Sequence, residues 1–302
     1  MKQETSNQPY DLLLGSHLPM SAPHYFLQTV HTAIVFGENA FMVFTGPPQS
    51  TTRIPLDKLN LTQGQELWLK QGYSMHNLVV HCPYIINPAT SDQQKQRFCI
   101  NFLYQDILRT TQMGIKYYVL HPGKYMDADL QTGIKNCAFV LNEVLKALGD
   151  NVDICICLET MAGLGTDIAS TFTNINRIIV QINDRTKIGV CIDTCHIWDA
   201  GYDVNDIDNV LTDFNNAIGL PYLKVIHLND SKNGMKSHKD RHANIGYGQI
   251  GFDTLVKWAW HPLTNHVIKI LETPAVNGIM PYKEEIAMIK NTKFDDWIKN
   301  EH

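Results

Sequence analysis

With 302 residues and 44 % hydrophobic content, the chain can bury a large core without disulfides or metal staples. Its formal charge of −5 argues, taken alone, against nucleic acid as a partner. No apolar run approaches the roughly 18 residues of a membrane span, and the polar opening MKQETSNQPY lacks the apolar core of a signal peptide, so a cytoplasmic protein is expected.

Short β-branched runs recur along the chain: LLLGSHL (12–18), AFMVFT (40–45), NLVVHCP (77–83), YYVLHPG (117–123), ICICLET (154–160), IGVCIDT (188–194), LKVIHLND (223–230) and VIKILETP (267–274). Each is continuous rather than alternating, as strands buried on both faces are. Between them lie helical patterns. Residues 22–36 and 130–148 carry apolar positions at three-four spacing, and the second ends at Gly149, a fitting C′ residue. The seven cysteines sit mostly inside the apolar runs, where they read as buried thiols in a reducing compartment rather than a disulfide framework. The expectation is a single α/β domain over residues 11–302, a (β/α)8 TIM barrel, behind a polar tail of residues 1–10. An open doubly wound sheet has the same alternation. The barrel is favoured because the polar residues behave as though they share one mouth.

Those residues fall at strand ends. The third predicted strand ends in His81, the fourth in His121 and the fifth in Glu159; the sixth ends in Asp193 with His196 three residues on, the seventh carries His227 and the eighth Glu272. The C-terminal ends of barrel strands are where active sites are built. Singly, each has an ordinary reading: a capping histidine, an ion-paired carboxylate, an N-cap at Asp193. Together, with Asp240 and His242 from the loop after the seventh run, they put four carboxylates among five imidazoles. Such a set repels itself unless a multivalent cation neutralises it. Mixed nitrogen and oxygen donors suit Zn²⁺ or Mn²⁺ rather than Mg²⁺ or Ca²⁺. Nine ligands suggest three ions, with a carboxylate shared between two.

At these positions the sequence closely resembles endonuclease IV, the second family of apurinic/apyrimidinic endonucleases. The motifs are FTGPPQ (44–49), HCPYIIN (81–87), LHPG (120–123), LETMAG (158–163), IDTCH (192–196), HLNDSK (227–232), DRHANIG (240–246) and LETP (271–274). The resemblance implies a TIM barrel holding three zinc ions, with manganese admissible at some positions. His81 and His121 would hold one ion, Glu159 would bridge it to a second completed by Asp193, His227 and Glu272, and His196, Asp240 and His242 would hold the third. It implies a DNA-repair hydrolase that cuts the phosphodiester 5′ to abasic sites in duplex DNA, leaving a 3′-hydroxyl and a 5′-deoxyribose phosphate. A 3′-repair phosphodiesterase activity, a monomer, a bacterial cytoplasm and association with the nucleoid through DNA are expected beside it. The resemblance implies Glu159 as the catalytic residue, orienting or deprotonating the attacking water.

Three divalent ions would offset the acidic charge, so DNA affinity should rest on the metals and on a basic rim of Lys232, Lys236, Lys239 and above all Arg241. Tyr84 and Ile85 match the pair that the family wedges into the base stack; the alternative is packing beneath their own loop. Gln49 stands where some members carry a gap-filling arginine, and brings no charge. His17 and Asn87 match family positions whose roles the sequence leaves open. The glycines at 246, 248 and 251 are expected to let the chain turn tightly at the mouth.

The competing reading is a xylose-isomerase-like sugar isomerase or epimerase, which has one or two metals and no use for the set of His196, Asp240 and His242. A non-catalytic metal-dependent DNA-binding protein is a further rival, against which the intact Glu159 argues.

Overall fold

The computed structural model describes residues 12–300; the polar tail assigned to residues 1–10 lies outside them. Each apolar run contains a strand: β1 Leu14–Ser16, β2 Phe41–Val43, β3 Leu78–His81, β4 Tyr117–Leu120, β5 Cys155–Glu159, β6 Ile188–Asp193 and β7 Leu223–His227. A short antiparallel pair follows, β8 Asp230–Ser231 with β9 His242–Ala243, before the last barrel strand, β10 Ile268–Leu271. The helices are α1 Tyr25–Val35, α2 Leu61–Lys70, α3 Gln93–Gln112, α4 Leu130–Leu148, α5 Phe172–Ile179, α6 Thr194–Ala200, α7 Ile207–Ala217, α8 Phe252–Ala259, α9 Tyr282–Asn291 and α10 Trp297–Asn300.

All neighbouring strands of the large sheet are parallel, in the order β1-β10-β7-β6-β5-β4-β3-β2. The ring is brought round by a parallel bridge between His17 and Met42, where Leu18 N–H donates to the Met42 carbonyl at 2.9 Å. The barrel is therefore the architecture, and the open sheet is not. Ala40, Met42, Val79, Val119, Cys155, Cys157, Cys191, Val225, Ile268 and Ile270 fill its interior, while the opposite strand faces pack against the helices. This double burial explains why the runs are continuously apolar. The cysteines are all free and buried.

Local sequence sets the element ends. Helix α4 spans the expected 130–148: Asp129 accepts from Thr132 N–H at its start, and Gly149 takes φ +74° at its end. Residues 22–24 precede the ordered start of α1 at Tyr25. Between β6 and α6 there is no loop at all, because Asp193 ends the strand and caps the helix, accepting from His196 N–H at 2.9 Å. The register of β6 against β7 shifts between Val190 and Cys191, a bulge two residues before Asp193.

Candidate metal centre

His81, Glu159, Asp193 and His227 are the last residues of β3, β5, β6 and β7; His121 and Glu272 are the first after β4 and β10. Strand geometry thus delivers six side chains to one mouth. The Glu159 carboxylate lies at their centre: Oε2 is 3.1 Å from His81 Nε2 and 2.9 Å from His121 Nε2, and Oε1 is 2.9 Å from His227 Nδ1. His227 Nδ1 is also 3.0 Å from Glu272 Oε2. A second grouping is offset from this one. His196 Nε2 lies 3.1 Å and His242 Nε2 3.6 Å from Asp240 Oδ1, and His242 Nε2 is 3.5 Å from Asp193 Oδ2. Within the triplets His81–His121–Glu159, His81–His227–Glu272 and His196–Asp240–His242, ligand atoms lie within 4.8 Å of one another. All nine residues singled out in the sequence come together. A cavity of about 340 Å³ opens over them, lined also by Tyr84, Lys124 and Leu164.

The ring orientations test whether a metal fits. His81, His196 and His242 each place Nδ1 on a backbone carbonyl, of Cys82 at 2.6 Å, Thr160 at 2.7 Å and Glu272 at 3.1 Å. A carbonyl only accepts, so Nδ1 carries a proton and Nε2 is the atom turned toward a carboxylate. Nε2 and carboxylate oxygens facing at 3–3.6 Å form a pocket for positive charge, and the carbonyl tether is what metal-binding histidines use to fix their orientation. His242 Nε2 is buried without any hydrogen-bond partner. The residues fit a metal.

The electrostatics agree. Burial pushes the Glu159 and Glu272 carboxyls up, but imidazoles, His121 and His227 foremost, hold both well below the usual range. Burial depresses His196 and His227, yet the carboxylates and, at His227, the Cys191 thiol raise both well above ordinary imidazole. The cluster draws in positive charge.

Several positioning residues escaped the sequence reading. Asn229, fully buried, donates from Nδ2 to Asp193 Oδ2 at 2.7 Å, while its Oδ1 accepts from Glu272 N–H at 2.8 Å. Asp199 reaches across to the long loop, accepting from Asp240 N–H at 2.8 Å and from the Ser231 hydroxyl at 2.9 Å. The loop itself alternates through the left-handed region at Lys236, His238 and Asp240. The motif HLNDSK therefore carries one metal-facing residue and three supports. His17, whose role the sequence left open, has Nδ1 3.0 Å from Glu272 Oε1.

The glycines need a different explanation from tight turning alone. Gly246, Gly248, Ile250 and Gly251 aim their N–H groups at the Asp230 carboxylate, at 2.9–3.3 Å. A Cβ on Gly248 would lie 2.3 Å from Asp230 Oδ1. Gly246 and Gly251 have φ +84° and +86°. Asp230 thus anchors the chain that returns from β9.

Of the residues expected at DNA, Tyr84 packs edge-on against Phe44 and His81 but is 54 % exposed, and Ile85 is 48 % exposed. Neither is buried beneath its loop. Gln49 is exposed on the β2 loop; Arg241 is exposed with its guanidinium on the Asp240 carbonyl at 2.7 Å. No helix among the described residues is long and apolar enough to cross a membrane.

The family model of xylose isomerase-like TIM barrels matches residues 33–292. A Staphylococcus aureus protein is 45 % identical, over 96 % of this chain and 98 % of its own length. One from Acholeplasma laidlawii is 41 % identical, over 95 % and 98 %. Both bear the name "Probable endonuclease 4". Among solved structures, endonuclease IV from Thermus thermophilus superposes with a TM-score of 0.80 at 24 % identity, covering 95 % of this chain and 99 % of that one. A D-tagatose 3-epimerase-like protein gives 0.66 at 16 % identity, covering 92 % and 98 %. At these identities the structural likeness concerns the fold.

Proposed function

Because this chain belongs to the endonuclease IV family, we propose that it is a metal-dependent DNA-repair hydrolase that cuts duplex DNA 5′ to abasic sites. The observation that carries the reading is the second grouping, His196, Asp240 and His242, standing complete beside the Glu159 cluster. Sugar epimerases share the fold, but their chemistry at carbon gives that grouping no task.

Nine ligands suit three ions, zinc with manganese at some positions, bound by His81, His121 and Glu159, by Glu159, Asp193, His227 and Glu272, and by His196, Asp240 and His242. When bound, such ions supply a hydroxide at neutral pH and neutralise charge on a phosphate. Glu159 orients or deprotonates the attacking water; the water oxygen bonds to phosphorus as the bond to the 3′-oxygen breaks and that oxygen takes up a proton, giving a 3′-hydroxyl and a 5′-deoxyribose phosphate. Asn229 and His17 hold the carboxylates of Asp193 and Glu272 in place for this step. Tyr84 and Ile85 enter the base stack, which is cheapest to open where a base is missing; Gln49 fills part of the gap and Arg241 contacts the backbone. The same centre suits removal of 3′-blocking groups. We place the enzyme as a monomer in a bacterial cytoplasm, associated with the nucleoid through DNA.

A duplex with one abasic analogue tests this. The expected result is one cut 5′ of the lesion and no β-elimination product; equal cutting of undamaged duplex, or none of either, overturns it. Metal analysis should return about three ions per chain, whereas one would favour the isomerase.

A further inference from the structure

Three mouth loops are laced into one wall. Asn87, in the loop after β3, accepts at Oδ1 from Lys124 N–H (2.9 Å) and donates from Nδ2 to the Lys124 carbonyl (3.0 Å). Lys124 lies after β4, at an antiparallel bridge to Asp167 after β5, and its ammonium donates to the Leu164 carbonyl (3.0 Å) and the Asp167 carboxylate. Tyr125 N–H donates to the Thr166 carbonyl at 3.0 Å, and Leu164 N–H to Asp167 Oδ2 at 2.7 Å. Gly123 admits the closest approach: with φ +100°, a Cβ there would sit 2.1 Å from Asn87 Oδ1.

The laced loops carry four exposed apolar side chains. Beside Tyr84 and Ile85, Met126 is 57 % exposed and Leu164 45 % exposed. Met126 takes φ +52°, a conformation L side chains rarely adopt. Leu164, Lys124 and Tyr84 line the cavity over the cluster, and Met126 lies two residues beyond Lys124, so the edge borders whatever fills the cavity. Since Asp167 neutralises Lys124, the edge offers apolar surface rather than a charge for phosphate. Apolar tips beside a DNA-cutting centre match the wedges that open base steps from the minor groove.

We propose that Met126 and Leu164 form a second apolar contact with the DNA flanking the lesion, held by the lacing as one rigid wedge with Tyr84 and Ile85. This rests on the endonuclease reading. The test measures binding of the metal-loaded enzyme to a non-cleavable abasic-analogue duplex carrying 2-aminopurine beside the lesion. Met126→Ser/Leu164→Ser should weaken binding about tenfold, lower the 2-aminopurine signal of unstacking and, on a cleavable duplex, raise KM more than it lowers kcat. Asn87→Ala, which loosens the wall but keeps its tips, should share these effects in milder form. Unchanged affinity and unstacking in the double variant overturn the contact. An effect there with none in Asn87→Ala overturns the rigid wedge. Failure of the wild-type enzyme to cut abasic duplex overturns the endonuclease reading instead, because the binding measurement needs no cutting.

Discussion

The two halves of the candidate metal centre are built by different means. His81, His121, Glu159, Asp193, His227 and Glu272 ride on strand ends, where the ladder fixes each backbone and most of the side chains are buried. His196 comes from a short helix, Asp240 from a long loop and His242 from the two-residue strand β9 that follows it, and Asp240 is 39 % exposed at its side chain. What the sheet does for the first set, individual side chains do for the second: Asp199 holds Asp240, and Asp230 anchors the returning chain. A loop can carry a ligand as accurately as a strand when each turn has its own polar anchor, but it depends on more residues.

Substitutions can break or sharpen that contrast. Glu159→Gln should have the largest effect, leaving DNA binding in place while incision of an abasic duplex falls on the order of 10²–10³-fold, the scale of losing one preorganised electrostatic group; activity within tenfold of wild type would remove its assigned role. Next comes a pair. Asp199→Ala should cost about 10–100-fold in activity and release the loop-held metal alone, while Asn229→Ala should cost a similar factor and release a strand-held one. Metal analysis of the two variants decides whether the halves are separable; if either loses every ion, the contrast fails. Gly248→Ala presses on Asp230 and should destabilise by about 1–3 kcal/mol, read as a lower melting temperature, with the loop-held metal lost first.

A further effect concerns pH. Glu285, on α9, accepts from Asn244 and Ile245 behind β9, and burial pushes its carboxyl up to about 7. Its folded value lies above the unfolded one, so the unfolded chain gives up the proton first. Stability from this group should therefore fall as pH rises from the ordinary glutamate range to about 7, then level off. Glu285→Gln should flatten that slope in denaturant melts at pH 5 and 7.5; an unchanged slope would count against it.

The strand-borne half was legible in the sequence because its signal is local: an apolar run ending in one polar residue. The loop-borne half was legible only as residue types. What holds it lies in hydrogen bonds such as Asp199 to Asp240 and Gly248 to Asp230, between residues 41 and 18 positions apart, and no periodicity records those. Gly248 read as a turn glycine, although the neighbouring carboxylate is what requires it. Lys269, inside an apolar run, gave no hint that it would be fully buried with its ammonium on the Thr264 carbonyl, its pKa brought down to about 7 by burial.

The alternation of left-handed residues at 236, 238 and 240 has a consequence for how this loop can change over time. An added or deleted residue there has to be absorbed among backbone conformations that few residues adopt, next to a carboxylate 3.1 Å from His196. A one-residue insertion is therefore expected to disturb the site more than a substitution at an exposed position of the loop.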